Sequence, residues 1–405
     1  MCLVRVNVMS WKTLSQMSLN GKRVLTRVDL NVPMVNGKVS DVTRIKKIVP
    51  TINTIIQNGG APVLLAHLGR PRGERKPNLS LVHIREELEA HLKSKVIFVA
   101  ECIGPSAETA IKIAEQNEVI LLENTRFYPG EEENDLKFSR SLAALGDIFC
   151  NDAFSASHRA HASTAGLAKH LPSCAGKLME AELNALERVL DQPERPVATV
   201  VGGAKISTKI ALLENLIEKV DFIIIGGAMA NTFLLAKGIR VGRSLVEESL
   251  TSTALRILKK AEKYSCEIIL PIDLVVAKEL SENIPTSVVD SNKCPENYMI
   301  LDAGPLTVDK IKKCISNAKT LLWNGPLGAF EINPFDQATS QAAKFASEKT
   351  KKGDLISVAG GGDTVSALNK AGVTGSFTYI STAGGAFLEW LEGKELPGIL
   401  CLKEN

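Results

Sequence analysis

Short runs of aliphatic and β-branched residues alternate from end to end with longer stretches whose apolar positions recur every three to four residues. That rhythm predicts strands and amphipathic helices in turn, which is the pattern of parallel sheets covered by helices on both faces. The first half offers VLTRV (24–28), PVLLA (62–66), VILLEN (119–124) and IFCNDAF (148–154). The second offers VATVV (197–201), FIII (222–225), TLLW (320–323), LISVA (355–359) and YIST (379–382). Between the halves, in GKLMEAELNALERVLDQPERP (176–196), Leu178, Met179, Leu183, Leu186, Val189 and Leu190 share one helical face, and Pro193 and Pro196 close it. With no Gly/Ser-rich tether in sight, this helix is the expected domain connection.

The residues just after each apolar run separate the halves. Early runs lead into Asp29 and Asn31, into His67-Leu68-Gly69-Arg70, into Thr125-Arg126, and into Ser155–His158 with Arg159. Late runs lead into Gly202-Gly203-Ala204-Lys205, Gly226-Gly227, Asn324-Gly325-Pro326, Gly360-Gly361-Gly362-Asp363 and Ala383-Gly384-Gly385. Open parallel sheets bind ligands outside the carboxyl ends of their strands, so each half is expected to carry a site there. Arginine and histidine exits suit a small, multiply anionic molecule, because guanidinium groups clamp carboxylate and phosphate bidentately. Glycine exits that open helices suit nucleotide phosphates, which accept from the unpaired N–H groups of a helix N-terminus. Any one of these arginines, alone, reads as a surface charge; their shared placement at strand exits argues for convergence.

Composition sets further bounds. A chain of 405 residues exceeds what one core holds, so two domains are expected. Lys plus Arg exceed Asp plus Glu by only 48 to 45, which makes no case for a nucleic-acid or membrane partner. Eight cysteines are scattered without a C-x-x-C pair and read as reduced thiols. The opening MCLVRVNVMSWKTL lacks the apolar core and cleavage site of a secretory signal, Met9 could be an alternative start, and a cytoplasmic location is expected. No run approaches the roughly 20 apolar residues of a membrane span. His158 and His161 have an i, i+3 spacing that would suit a metal on a helix, but no acidic or cysteine residue nearby completes a set.

G-x-x-x-x-G-K-[ST], a strand-linked G-x-G-x-x-G and the protein-kinase signatures are all missing, so the phosphates need another solution. RVDLNVP (27–33), HLGRP (67–71), LLENTRF (121–127), NDAFSASHRAHAS (151–163), GGAKISTK (202–209), WNGPLGAFE (323–331), AGGGDT (359–364) and STAGGAFLEWLEGKELPG (381–398) supply it. Together and in this order they resemble the motif series of the phosphoglycerate kinases over nearly the whole chain.

The resemblance implies an α/β protein of two Rossmann-like domains, each a parallel sheet covered by helices on both faces, joined by a hinge helix. Residues 1–175 would bind the phosphoglycerate, 176–192 would form the connecting helix, 193–394 would bind the nucleotide, and 395–405 would return to the first domain. Asp29, Leu30, Asn31, Arg44, His67, Leu68, Gly69, Arg70, Arg126 and Arg159 would line the phosphoglycerate site. Lys209, Glu331, Gly361, Gly362, Asp363 and Thr364 would hold ADP or ATP, with Asp363 near Mg²⁺. Arg27, Lys205 and Gly384 would act on the transferring phosphoryl, Arg27 and Lys205 meeting it from different domains on closure. A monomer is implied.

Two departures stand out. Leu30 replaces a frequent Phe, a change expected to matter little, and Ala383 takes the first place of a frequent glycine triplet, where its methyl is expected to restrict backbone approach to phosphates. Two other readings compete: a nucleotide-dependent ligase or dehydrogenase, which lacks its glycine fingerprint here, and a non-catalytic scaffold, which would have lost Arg27, Lys205 or Asp363.

Overall fold

The computed structural model describes residues 11–403 apart from residue 116. Cys2 and the alternative start at Met9 lie outside the described residues. Two compact units divide the chain: one runs to Leu183 and takes in the residues from Glu395 onward, and the other is Asn184–Lys394. The division falls inside the helix Lys177–Leu190.

The first unit contains β1 (Arg23–Arg27), a small hairpin of β2 (Met34–Val35) and β3 (Lys38–Val39), then β4 (Ala61–Leu65), β5 (Val96–Val99), β6 (Val119–Leu122), β7 (Ile148–Asn151) and β8 (Ser173–Ala175). Apart from the hairpin these strands form one parallel sheet in the order β5-β6-β4-β1-β7-β8. Both faces are covered because side chains alternate across a strand. Leu64 and Leu121 pack with Ile45, Ile48 and Ile52 of the helix Thr43–Gln57 on one side. Val63, Leu65, Ile120 and Leu122 meet Phe138 and Leu142 on the other. From β1 the chain moves to β4 on one flank and returns through β7 on the other, which makes a topological switch point at the end of β1. The carboxyl-terminal segment closes this unit: Asn151 Nδ2 donates to the Gly398 carbonyl at 2.8 Å.

The second unit has its own parallel sheet, in the order β11-β10-β9-β15-β16-β17. Its strands are β9 (Val197–Val201), β10 (Phe222–Ile225), β11 (Glu267–Ile269), β15 (Thr320–Asn324), β16 (Ile356–Gly360) and β17 (Tyr379–Ser381). Here the switch point lies between β9 and β15, whose neighbours were reached in opposite directions. A second sheet departs from the expectation of a parallel sheet alone: β12 (Asp273–Ala277), β13 (Ser287–Asp290) and β14 (Met299–Ala303) pair antiparallel in the order β13-β12-β14. Its outer strand β13 is largely exposed, so it lacks the continuous apolar run by which buried strands announce themselves.

Candidate functional site

At the switch point of the first unit, β1 delivers Arg27, which is fully buried. Its Nε donates to Ser163 Oγ at 2.9 Å, Nη1 to the Val28 carbonyl at 2.6 Å, and Nη2 meets His67 Nδ1 at 2.8 Å. A guanidinium carries five N–H donors and no acceptor, so His67 Nδ1 accepts and its ring proton sits on Nε2. With three of its five N–H groups spent in these bonds Arg27 is fully buried, and beside it His67 is 7% exposed. Asp29 accepts from Arg44 Nη1 at 2.6 and 2.7 Å and anchors the Asn31 N–H, while Asn31 Oδ1 accepts from the Gly69 N–H at 2.9 Å. Arg126, 7% exposed, donates from Nη1 to the Gly69 carbonyl, and its Nε lies 3.4 Å from Glu132. Arg70 and Arg159 are exposed.

These cations share one field. Burial lowers the Arg126 pKa, and the charges of Arg159 and Arg70 lower it further. The strand exits therefore bring together the arginines that the sequence placed far apart. Leu30 and Leu68 are different: both belong to the core, so only their main chain is available to a ligand. His158 and His161 do not share a helix, since His158 lies in a turn and His161 is extended just before a short π-helix at Ala162–Gly166. Their helical spacing has no structural counterpart.

Burial, reinforced by Arg126 and Arg27, holds the His161 imidazole down at about 4, and burial with Arg27 pushes His67 well below its ordinary value. Both rings are neutral at pH 7. The unfolded chain takes up a proton near pH 6.5, so this contribution to stability is complete above that pH and is lost as pH falls toward 4. Asp152 and Asp302 work the other way, burial raising them to about 7 and about 8, so their contributions decline as pH rises through those values. His161→Gln should therefore flatten the acid limb of the stability profile by close to one proton. Urea unfolding of parent and variant between pH 7 and 4.5 reads this out, and parallel profiles would contradict it.

In the second unit the exits of β9, β10 and β15 cross at glycines. A Cβ on Gly202 would lie 1.9 Å from the Pro326 carbonyl oxygen, one on Gly325 (φ 105°) 2.2 Å from the Gly202 oxygen, and one on Gly227 (φ 67°) 2.6 Å from the Gly203 oxygen. Asn324 ties the next exit in, accepting from Lys209 Nζ at 2.6 Å and donating to the Gly360 carbonyl at 2.7 Å. Thr364 Oγ1 accepts from the Gly325 N–H. Burial lowers the Lys209 pKa against the pull of Asp363.

Gly361 (φ 101°) caps the helix Gly362–Lys370, whose first turn exposes Asp363. Around Gly362, Gly384 and Gly385 an added Cβ would meet nothing within 4 Å, so a ligand can approach the main chain there. Ala383 is 6% exposed, with its N–H on Ser381 Oγ. Its methyl is thus packed inside, and the expected obstruction does not arise. Lys205 and Glu331 are exposed.

Sequence reasoning missed an apolar cavity of about 320 Å³ beside these exits, walled by Leu245, Leu280, Met299, Leu301 and Leu327 and reaching Glu331 and Asp363. Two of its walls come from the antiparallel sheet, which explains the omission. Glu131 was missed as well. In the run PGEEEN it is fully buried beneath Arg27 while Glu133 is exposed, and nothing in the run distinguishes them.

Residues 14–394 match the family model described as phosphoglycerate kinase. The chain is 58% identical to a phosphoglycerate kinase of Ruegeria pomeroyi over 97% of its own length and 99% of the relative's. It is 59% identical to another from Ruegeria sp. strain TM1040, covering 98% and 100%. Among solved structures, a phosphoglycerate kinase from Coxiella burnetii superposes with a TM-score of 0.90 at 42% identity, covering 97% of this chain and 99% of that one. One from Pyrococcus horikoshii OT3 gives 0.80 at 31% identity, covering 96% and 98%.

Proposed function

The chain belongs to the phosphoglycerate kinase family, and on that premise we propose that the arginine-lined exits of its first unit take the phosphoglycerate and the glycine-lined exits of its second take the nucleotide. The activity is reversible phosphoryl transfer to a carboxyl group: the acyl phosphate of 1,3-bisphosphoglycerate and Mg-ADP give 3-phosphoglycerate and ATP. The convergence of Arg27, Arg126 and His67 on one buried, cationic strand edge carries the assignment of the first site.

Phosphoryl transfer of this kind leaves little covalent work for the protein. The attacking oxygen, on carboxylate or β-phosphate, is already ionised at neutral pH, so no general base is needed. Arg44 is held by Asp29, and Arg126 by the Gly69 carbonyl, which fixes two cations for the distal phosphate and the carboxylate. Arg70 and Arg159 close around the ligand from solvent. Arg27, fully buried at the strand end, turns its positive charge toward the reacting carboxyl end, and His67 Nε2–H adds a neutral donor. Lys205 accompanies the phosphoryl group, and Gly384 offers its main chain to it. Because Arg27 and Lys205 belong to different units, we propose the helix Lys177–Leu190 as the hinge on which their meeting depends.

For the nucleotide, the apolar cavity receives the base, Glu331 the ribose hydroxyls, and Lys209 with the segment Gly361–Thr364 the phosphates. Among the described residues no three or more His, Cys, Asp or Glu gather as a metal cage. Magnesium held mainly by nucleotide phosphates would need only one or two carboxylates from the protein. Asp363, exposed in the first turn of its helix, is the carboxylate that fits, and bound magnesium would neutralise phosphate charge there. Among the described residues no helix is long and apolar enough to cross a membrane; we propose a cytoplasmic monomer.

Arg159→Ala should raise the Kd for 3-phosphoglycerate by at least tenfold and leave Mg-ADP binding within twofold, because only the first ligand faces it. Titration calorimetry with each ligand checks this. Equal losses for both would refute the partition.

A further inference from the structure

The ends of β1 and β7 lie side by side, because Arg27 and Asn151 pair in register where the two parallel strands meet. The residues just past them therefore come together: Asp29, two positions beyond β1, and Ser155, in the turn Phe154–Ala156 beyond β7. Ser155 Oγ lies 2.5 Å from Asp29 Oδ2, although 126 residues separate the two along the chain. A carboxylate only accepts, so the hydroxyl gives its single proton to Asp29. Ser155 is half-buried and opens the exit that carries Arg159.

Asp29 is thereby engaged at both oxygens. Its Oδ1 accepts the Asn31 N–H at 3.1 Å and its Oδ2 the Ser155 hydroxyl, while Arg44 Nη1 lies 2.7 Å from Oδ1 and 2.6 Å from Oδ2. Arginine and carboxylate frequently meet as a fork, with two parallel N–H···O bonds from two nitrogens. Here Nη1 alone is engaged. With a further donor on each oxygen, the carboxylate is held across one nitrogen, and the Nη2 and Nε edge of Arg44 is not spent on it. Arg44 stands in the first turn of the helix Thr43–Gln57, and its side chain is 31% exposed where that of Asp29 is 10%. The arginine is the member of the pair that a ligand can reach.

We propose that Ser155 is a positioning residue for phosphoglycerate binding: by holding Asp29 Oδ2 it keeps the ion pair on one nitrogen and leaves the other guanidinium edge of Arg44 to the anion. The assignment rests on the phosphoglycerate-binding role proposed for Arg44. Without the hydroxyl, Oδ2 turns toward a second guanidinium nitrogen and closes the fork, which spends N–H groups that the ligand needs. The loss falls on binding of this one substrate and leaves the nucleotide untouched. Hydrogen bonds to charged groups shift an equilibrium by roughly tenfold to a hundredfold, of which closing the fork recovers part.

The test uses Ser155→Ala, Arg44→Ala and Arg126→Ala, singly and with Ser155→Ala added to each arginine variant, in the whole protein. Titration calorimetry gives the Kd for 3-phosphoglycerate, and a coupled assay with Mg-ATP and thermal melts accompany it. Ser155→Ala is expected to raise that Kd at least fivefold, with kcat and the KM for Mg-ATP within twofold of the parent. Ser155→Thr, which keeps the hydroxyl, should bind more tightly than Ser155→Ala. Residues that act through one contact are not additive, so Ser155→Ala should add less than twofold to Arg44→Ala and its full factor to Arg126→Ala. A structural role alone would lower the melting temperature and cost the same in both backgrounds, which overturns the proposal. If Ser155→Ala does not fold, Ser155→Gly is read in its place. A parent-like Kd in Ser155→Ala, with Arg44→Ala weakened, also overturns the proposal and leaves Arg44 in its site. A parent-like Kd in Arg44→Ala overturns both.

Discussion

Lys205→Ala is expected to lower kcat by a hundredfold to a thousandfold while changing either KM far less. Lys205 follows β9 through Gly202-Gly203-Ala204, is exposed, and begins the short turn Ile206–Thr208 in extended conformation. An exposed lysine with only a solvation role would cost within about 0.5 kcal/mol of stability on removal and nothing in rate. An ammonium that follows the phosphoryl group contributes more in the transition state than in the ground state, so its loss falls on kcat. Removing one preorganised charge contact of this kind costs about 3 to 4 kcal/mol in barrier height. Lys205→Arg should recover only part of the rate, because a planar fork does not replace a compact charge that moves with its partner. Steady-state kinetics and melting curves on both variants check this. An alanine variant with near-normal kcat would return Lys205 to the solvated class.

The glycines of the second unit should separate into two kinds, and the largest stability effect should fall on the first. Gly202→Ala drives a methyl into the Pro326 carbonyl at 1.9 Å, a backbone neighbour that cannot swing aside. Overpacking of a tight core costs typically 1 to 3 kcal/mol and occasionally more, and this contact should cost about 3 kcal/mol or more because two strand exits must separate. Gly362→Ala meets no atom within 4 Å and begins a helix, so its stability should stay within about 0.5 kcal/mol of the parent. Its cost appears in ligand affinity instead, since the methyl occupies the space that phosphates need beside the main chain. We expect at least a tenfold rise in the Kd for Mg-ADP. Thermal melts with calorimetry distinguish the two, and a stable Gly202→Ala would contradict the crossing of β9 and β15.

That separation shows where the sequence was informative. Both glycine kinds look alike as glycines after apolar runs, and only the third dimension reveals that Gly202 faces Gly325 and Gly227 faces Gly203. The arginine exits were legible for a physical reason: parallel strands end on one edge, so residues after separate strands converge without knowledge of strand order. The two main sheets were legible on the same ground, because buried parallel strands are continuous apolar runs. The sheet β12–β14 was not, since its edge strand is short and exposed. The role of Arg27 as a fully buried group was hidden too. Its bonded partner Ser163 lies 136 residues away along the chain and reaches it only after β7's return past β1.

Whether these two strand-end sites together transfer a phosphoryl group is decided by a coupled assay of the purified protein with 3-phosphoglycerate and Mg-ATP. Magnesium-dependent formation of 1,3-bisphosphoglycerate and ADP that requires both substrates is the expected result. Folded protein that turns over no faster than a blank without enzyme would contradict it.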